Sequence, residues 1–341
     1  MIQIHLAKKF AVFLIVAVFL SACTLQKQGS AIITEDQLRT GTDSLSVNFL
    51  NSMPPAKIFS ADKDFPDSGL FEVGFNIENK GAADIISGVL ALSLETGYVN
   101  DIKSKWKSSD ERFNERSADN SVTFQLTGKT TENPLGDKII FSKILQAKIP
   151  DSDKESQTRK STIIATACYD YKTRKTASVC IDPMPFSEKI GPRPCEVKEM
   201  TFESQGAPLA VTKISPTMVS TGGRTTAEFL IYIKNKGNGQ IIPSNKILAA
   251  CEPTGGDKNF WNTINQEDFK IQFSTGESSF KCGPFPLKLS KDQEDFIRCI
   301  YQGAITGNQP YSTTLNLEFN YGYTFSVSKD ITIERPPKIA P

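Results

Sequence analysis

"FEVGFNIENKG", residues Phe71–Gly81, alternates for eight residues and then stops on a turn signal. Phe71, Val73, Phe75 and Ile77 would take one side of a strand, and Glu72, Gly74, Asn76 and Glu78 the other. That period of two is the pattern of a strand with one buried and one wet face. It returns 156 residues later as "AEFLIYIKNKG", Ala227–Gly237, aligned without a gap and sharing Glu, Ile and Asn-Lys-Gly. Near the end of each half, "YDYKT" from Tyr169 matches "YGYTF" from Tyr321. A unit of roughly 150 residues therefore occurs twice. In the second copy Leu230 and Tyr232 make the outer face apolar as well, so that face is expected to be covered. Gly81 and Gly237, closing the two runs, are expected to turn the chain with positive φ.

Further strands are predicted at Leu45–Leu50, Gly88–Leu94, Ser121–Leu126, Lys138–Ile149 and Thr162–Tyr171. In the second half they fall at Cys195–Phe202, Phe269–Phe273, Phe296–Gln302 and Thr313–Phe319. No long stretch carries helical periodicity. Many short strands with turn signals between them predict an all-β chain of two tandem Ig-like β-sandwich domains, residues 44–182 and 195–335. The Pro-rich segment 183–194, with four prolines and a glycine over Asp182–Pro194, is expected to be a stiff linker, and 336–341 a disordered tail.

Ahead of these domains stands "KKFAVFLIVAVFLSAC", Lys8–Cys23. Two lysines, the apolar run Phe10–Leu20 and small residues form an export signal too short to serve comfortably as a permanent span. Leu20, Ser21, Ala22 and Cys23 stand in the order that resembles a prokaryotic lipobox. Residues 1–22 are thus expected to be a lipoprotein signal peptide, Cys23 the lipidated first residue, and 23–43 a flexible tether. Two acyl chains suffice for stable anchoring.

Cysteine usage agrees with export. Cys168, Cys180, Cys195, Cys251, Cys282 and Cys299 are even in number, which in an exported chain reads as three disulfides out of fifteen possible pairings. "CYDYKTRKTASVC", folded as a hairpin, would place Cys168 opposite Cys180; Cys282 pairs similarly with Cys299, leaving Cys195 with Cys251. A zinc site would want CxxC spacing or histidines, and neither is present.

Removing Lys8 and Lys9 leaves 37 basic against 38 acidic residues, without a long basic run, so nucleic acid is not an expected partner. The one histidine is His5, inside the signal. The mature chain thereby lacks Ser-His and Cys-His catalysis, histidine metal sites and histidine pH switches. Asp62, Asp64 and Asp67 could offer oxygens to calcium, but without EF-hand spacing, and no metal or cofactor is assigned. In "KSKWKSSDERFNERSAD", Trp106 and Phe113 stand seven apart, compatible with one face of a short helix; the stretch reads either as a surface to which a partner docks or as a solvated insertion whose aromatics cover its own domain, the reading preferred. The Tyr171–Lys175 hairpin tip, with Tyr171 and Arg174, is the other candidate contact surface.

The Asn-Lys-Gly run, its return strand and the late Tyr-x-Tyr resemble the CARDB-like class of Ig-like cell-surface domains. More closely, "GTDSLSVNFLNSMPPAKIF", "FNIENKGAADI", "TACYDYKTRKTASVCIDP" and "CEVKEMTFESQGAPLAVTKI" resemble a group of archaeal surface lipoproteins, over residues 41–335. That resemblance implies architecture and cysteine placement but supplies no activity. The expectation is a lipid-anchored, extracytoplasmic adhesion, binding or scaffold protein, not an enzyme, held to the membrane and meeting a protein or cell-surface partner. The rival readings are an accessory subunit of a secretion or pilus-type envelope complex, or a hydrolase using two carboxylates without histidine.

Overall fold

The computed structural model describes residues 35–337 apart from 63–64, 66, 109, 111–112, 117–119, 154, 188–192, 252–258 and 275–278. The expected signal, Cys23 and most of the tether lie outside the described residues. Asp64 does too.

In chain order the first repeat forms β1 (Leu45–Phe49), β2 (Lys57–Phe59), β3 (Leu70–Asn79), β4 (Ile85–Ser93), β5 (Val99–Asp101), β6 (Lys107–Ser108), β7 (Phe113–Arg116), β8 (Ser121–Leu126), β9 (Lys138–Ala147) and β10 (Thr158–Ile181). The second forms β11 (Met200–Thr201), β12 (Leu209–Thr221), β13 (Arg224–Asn235), β14 (Gln240–Ile242), β15 (Thr263–Ile264), β16 (Phe269–Phe273), β17 (Phe280–Gly283), β18 (Leu287–Lys288), β19 (Glu294–Tyr301) and β20 (Tyr311–Glu334). The fold is all-β and sandwich-like, in three principal sheets. One smaller sheet orders β1-β3-β9-β5, the other β11-β12-β13-β19-β17, and both pack on the odd-numbered face of a shared sheet that runs β14-β20-β10-β4-β8-β7. Ring contacts join the layers: Phe124 of β8 meets Phe141 of β9 at 6.2 Å, and Phe273 of β16 meets Phe229 of β13 at 6.0 Å.

The shared sheet rests on one long antiparallel ladder. β10 pairs with β20 from Thr158↔Glu334 to Ile181↔Tyr311. β4 covers only the first half of β10, Ile164–Tyr169, while β14 and β16 cover Gly322–Thr324 and Leu315–Phe319 of β20. Each long strand thus begins in its own repeat and ends in the other. Odd-numbered side chains of both, such as Ile163, Ala165, Leu315 and Leu317, are buried, as the pleat requires.

Two sequence expectations need correction here. No hairpin turns at Arg174, because β10 continues straight through it. The stretch Cys168–Cys180 contains no Gly, Pro or Asn to reverse the chain, and its threonines favour extension. At about 3.3 Å per residue the two cysteines stand roughly 40 Å apart along the strand and cannot pair. The bridges are instead Cys168–Cys251, Cys180–Cys195 and Cys282–Cys299. Second, Gly81 and Gly237 are not among the glycines with positive φ. They are small for another reason: a Cβ at Gly81 would fall on the Tyr171 hydroxyl, and one at Gly237 on that of Tyr323.

β12, where no strand was expected, contains Pro216, which sits opposite Phe229 of β13. β11 pairs β12 only at Lys213 and Ile214, so no partner strand on that side asks Pro216 for an N–H. The expected covering of Tyr232 is local: Phe296 lies 5.7 Å from its ring and the Lys213 ammonium 4.1 Å.

Candidate functional site

Where β10 crosses β20, Tyr169 pairs with Tyr323 and Tyr171 with Tyr321, so the two matched Tyr-x-Tyr motifs meet at the junction of the repeats. Their surroundings repeat as well. Asn79 Nδ2 donates to the Ala83 carbonyl at 2.8 Å and its Oδ1 accepts the Gly81 N–H at 3.2 Å. Asn235 does the same with Gly239 at 3.0 Å and Gly237 at 3.2 Å. The Tyr171 hydroxyl accepts the Ala83 N–H at 3.3 Å, and that of Tyr323 the Gly239 N–H at 2.8 Å. Burial raises the pKa of all four tyrosines, that of Tyr323 to about 12. These rings are the structural keystone of the junction.

Beside the keystone the outer, even-numbered face of the shared sheet opens into two adjoining cavities of about 360 and 420 Å³. Both are lined by Arg39 and Arg174. Arg39 follows the short helix Glu35–Leu38; β10, β16 and β20 supply most of the other polar groups, and Asp84, Gln205 and Ser244 come from connecting segments. On β20, Glu318 receives Arg174 Nε at 2.8 Å and lies 3.6 Å from Lys172 Nζ, both of β10. Lys270 of β16 stands opposite Glu318 in register. Burial works to raise the Glu318 pKa, but hydrogen bonds from Arg174 and Asn320, with the charges of Lys172 and Arg174, hold it below the ordinary carboxylate range. Thr176 donates to Asn316 at 3.0 Å one step along the ladder.

The other carboxylates here are committed to backbone. Asp170 Oδ1 accepts the N–H groups of Ile86 and Ser87 at 2.9 and 2.6 Å, and burial raises its pKa against those bonds. Asp84 accepts the Gly128 N–H at 2.8 Å. They hold the irregular start of β4 and the β8 end in place. The groove therefore offers cations, amides and hydroxyls to an anionic or polar ligand.

Of the sequence-derived contact residues, Tyr171 and Arg174 do meet at this groove, although on a strand and not at a hairpin tip. Tyr171 is buried. Trp106 and Phe113 do not share a helix face. Trp106 precedes β6 and is buried, edge-on to Phe141 at 6.2 Å with Lys143 Nζ 5.5 Å from its ring. Lys143, itself buried, is paired with Asp101 at 3.2 Å. Phe113 begins β7, which pairs with β8 in the shared sheet. Arg39, Lys270 and Glu318 were missed. Lys270 and Glu318 alternate outward in "FKIQF" and "TLNLEFN", but only the long-range register of β16 on β20 brings them together.

The class of protein these features define is a disulfide-bonded, all-β sandwich, and three bridges point to an oxidising, extracytoplasmic environment. Among the described residues no helix is long and apolar enough to cross a membrane. The chain matches no protein-family model and no curated protein.

Proposed function

We propose that this chain is an extracytoplasmic lipoprotein, anchored through acylated Cys23, that acts as a non-enzymatic binding or scaffold protein of the cell envelope. The observation that carries this reading is the pairing of a lipobox, Leu20–Cys23, with six cysteines all joined in disulfides. Thiols oxidise stably outside the cytoplasm, and a lipidated cysteine would fix the chain there. The mature chain contains no histidine, and the groove's Asp84 and Asp170 are occupied by backbone N–H groups. Both facts favour binding over acid–base chemistry. Metabolic labelling with a radioactive lipid precursor tests the anchor: label should appear on the processed chain and vanish in Cys23→Ser. Label absent from the native chain would contradict it.

A second reading, an accessory subunit of a secretion or pilus-type complex, draws on one feature. Beyond Tyr169, β10 pairs among the described strands only with β20, so its other edge could accept a partner's strand. Extraction in mild detergent separates the two: a subunit would co-purify with fixed partners, and a stand-alone binding protein would not.

A further inference from the structure

We propose that the groove over β10, β16 and β20 binds the phosphate groups of anionic membrane lipids, seating the protein against the bilayer that anchors it. Charge is the first reason. Arg39, Arg174 and Lys270 line the 420 Å³ cavity with Glu318 as the one carboxylate among its lining residues; the adjoining cavity adds Lys172, and its two carboxylates, Asp84 and Asp170, are turned to backbone N–H groups. Glu318 already spreads its charge over Arg174 and Lys172. Lys270 is exposed and has no ion-pair partner among the described residues. The remaining lining is Leu317, Gln272, Asn316 and Thr176; with the Thr176 hydroxyl given to Asn316 and an Asn316 N–H to Ser274, the Gln272 amide is the neutral group best placed to donate to a phosphate oxygen beside a guanidinium.

Position is the second reason. Arg39 follows directly on the helix Glu35–Leu38, the first described element, so the described chain begins beside this groove. Eleven residues, 24–34, separate Cys23 from Glu35. Even fully extended they reach at most about 40 Å. A lipid on Cys23 therefore keeps these cations within about 40 Å of the bilayer, which raises their encounter with the headgroups, and each basic residue that reaches the anionic surface adds to binding. The position argument rests on lipidation of Cys23. The charge of the groove is independent of it, so vesicle binding by the unacylated chain separates the two.

The mature chain carrying Cys23→Ser, which has no acyl group, is mixed at low salt with phosphatidylglycerol or phosphatidylcholine vesicles and sedimented. Binding to the anionic vesicles alone, weakened by salt, is expected. Lys270→Gln should lower the affinity roughly fivefold and Arg174→Gln/Lys270→Gln roughly thirtyfold, from about 1 kcal/mol per basic residue. Lys281→Gln on β17, outside the groove, should change nothing. Because Arg174→Gln also removes the Glu318 pair, Lys270→Gln alone decides if the double variant misfolds. Equal binding by Lys270→Gln and Lys281→Gln, or affinity for inorganic phosphate or an acidic polysaccharide but not for vesicles, would overturn the assignment. Neither result would bear on whether Cys23 is acylated.

Discussion

The Tyr323 hydroxyl accepts the Gly239 N–H at 2.8 Å and donates to Asn235 Oδ1 at 3.1 Å, all of it buried. Tyr323→Phe leaves a buried donor and acceptor without this partner and should cost about 1–3 kcal/mol in urea unfolding. Gly237→Ala should be destabilising by a comparable overpacking penalty, about 1–3 kcal/mol, since its methyl would press on the same oxygen. In the Tyr323→Phe background that oxygen is gone, so Gly237→Ala should cost measurably less. Equal costs in both backgrounds would show that the hydroxyl contact is not what makes Gly237 small. At the far end of the shared sheet, Arg159 and Ser156 hold the Asp153 carboxyl down at about 2, from an ordinary 3.8. Its pKa is lower in the fold than in the unfolded chain. Its contribution to stability is therefore present above about pH 4 and fades as pH falls towards 2. Asp153→Asn should flatten the fall of Tm with pH in that window and leave its pH dependence at neutrality unchanged. The sequence announced the Asn-Lys-Gly turns and both Tyr-x-Tyr motifs, but not that they touch. Their contact depends on chain segments about 90 residues apart in each repeat, which periodicity does not join.

Element boundaries were most legible where strands are short and bounded by turn chemistry. Ser121–Leu126 and Phe269–Phe273 were expected with the bounds they have. The long strands were not, since β10 and β20 outrun the usual strand length and change their burying partner midway. That same length overturned the Cys168–Cys180 pairing. Cys168 instead lies buried under the helix Ile247–Ala250 and bonds to Cys251 at its end, tying the first repeat to an insertion of the second. This bridge closes a separation of 83 residues, against 17 for Cys282–Cys299. The chain-entropy model gives about 4–5 kcal/mol for the first and about 3 kcal/mol for the second. Cys168→Ala/Cys251→Ala should therefore lower stability more than Cys282→Ala/Cys299→Ala, as measured by guanidinium midpoints at equal m-value. The reverse order would remove the cross-repeat bridge from its place in the stability of the fold.

At the scale of the molecule, residues Glu35–Pro341 form one compact unit because both repeats build the same sheet. Unfolding should accordingly be a single calorimetric transition. Alkali should reach it through the keystone. Five of the eight tyrosines have pKa values raised by burial above an ordinary 10.0, and four of them, Tyr169, Tyr171, Tyr321 and Tyr323, are the buried keystone rings. Their stabilisation is complete below that value and is lost as pH climbs towards their folded values. Half of the tyrosinate absorbance should thus appear only together with loss of the β-sheet circular dichroism. Two repeats and an all-β composition could be read from the sequence; their fusion through exchanged strand halves could not, because pairing between distant strands leaves no local mark. The proposed place of the molecule, on the outer face of a membrane, is tested most directly by intact mass and non-reducing peptide mapping of the native chain. The account predicts a polypeptide beginning at Cys23, heavier by a diacylglyceryl group, yielding the cross-linked peptides Cys168–Cys251, Cys180–Cys195 and Cys282–Cys299. An unprocessed chain with all seven cysteines alkylatable would contradict it.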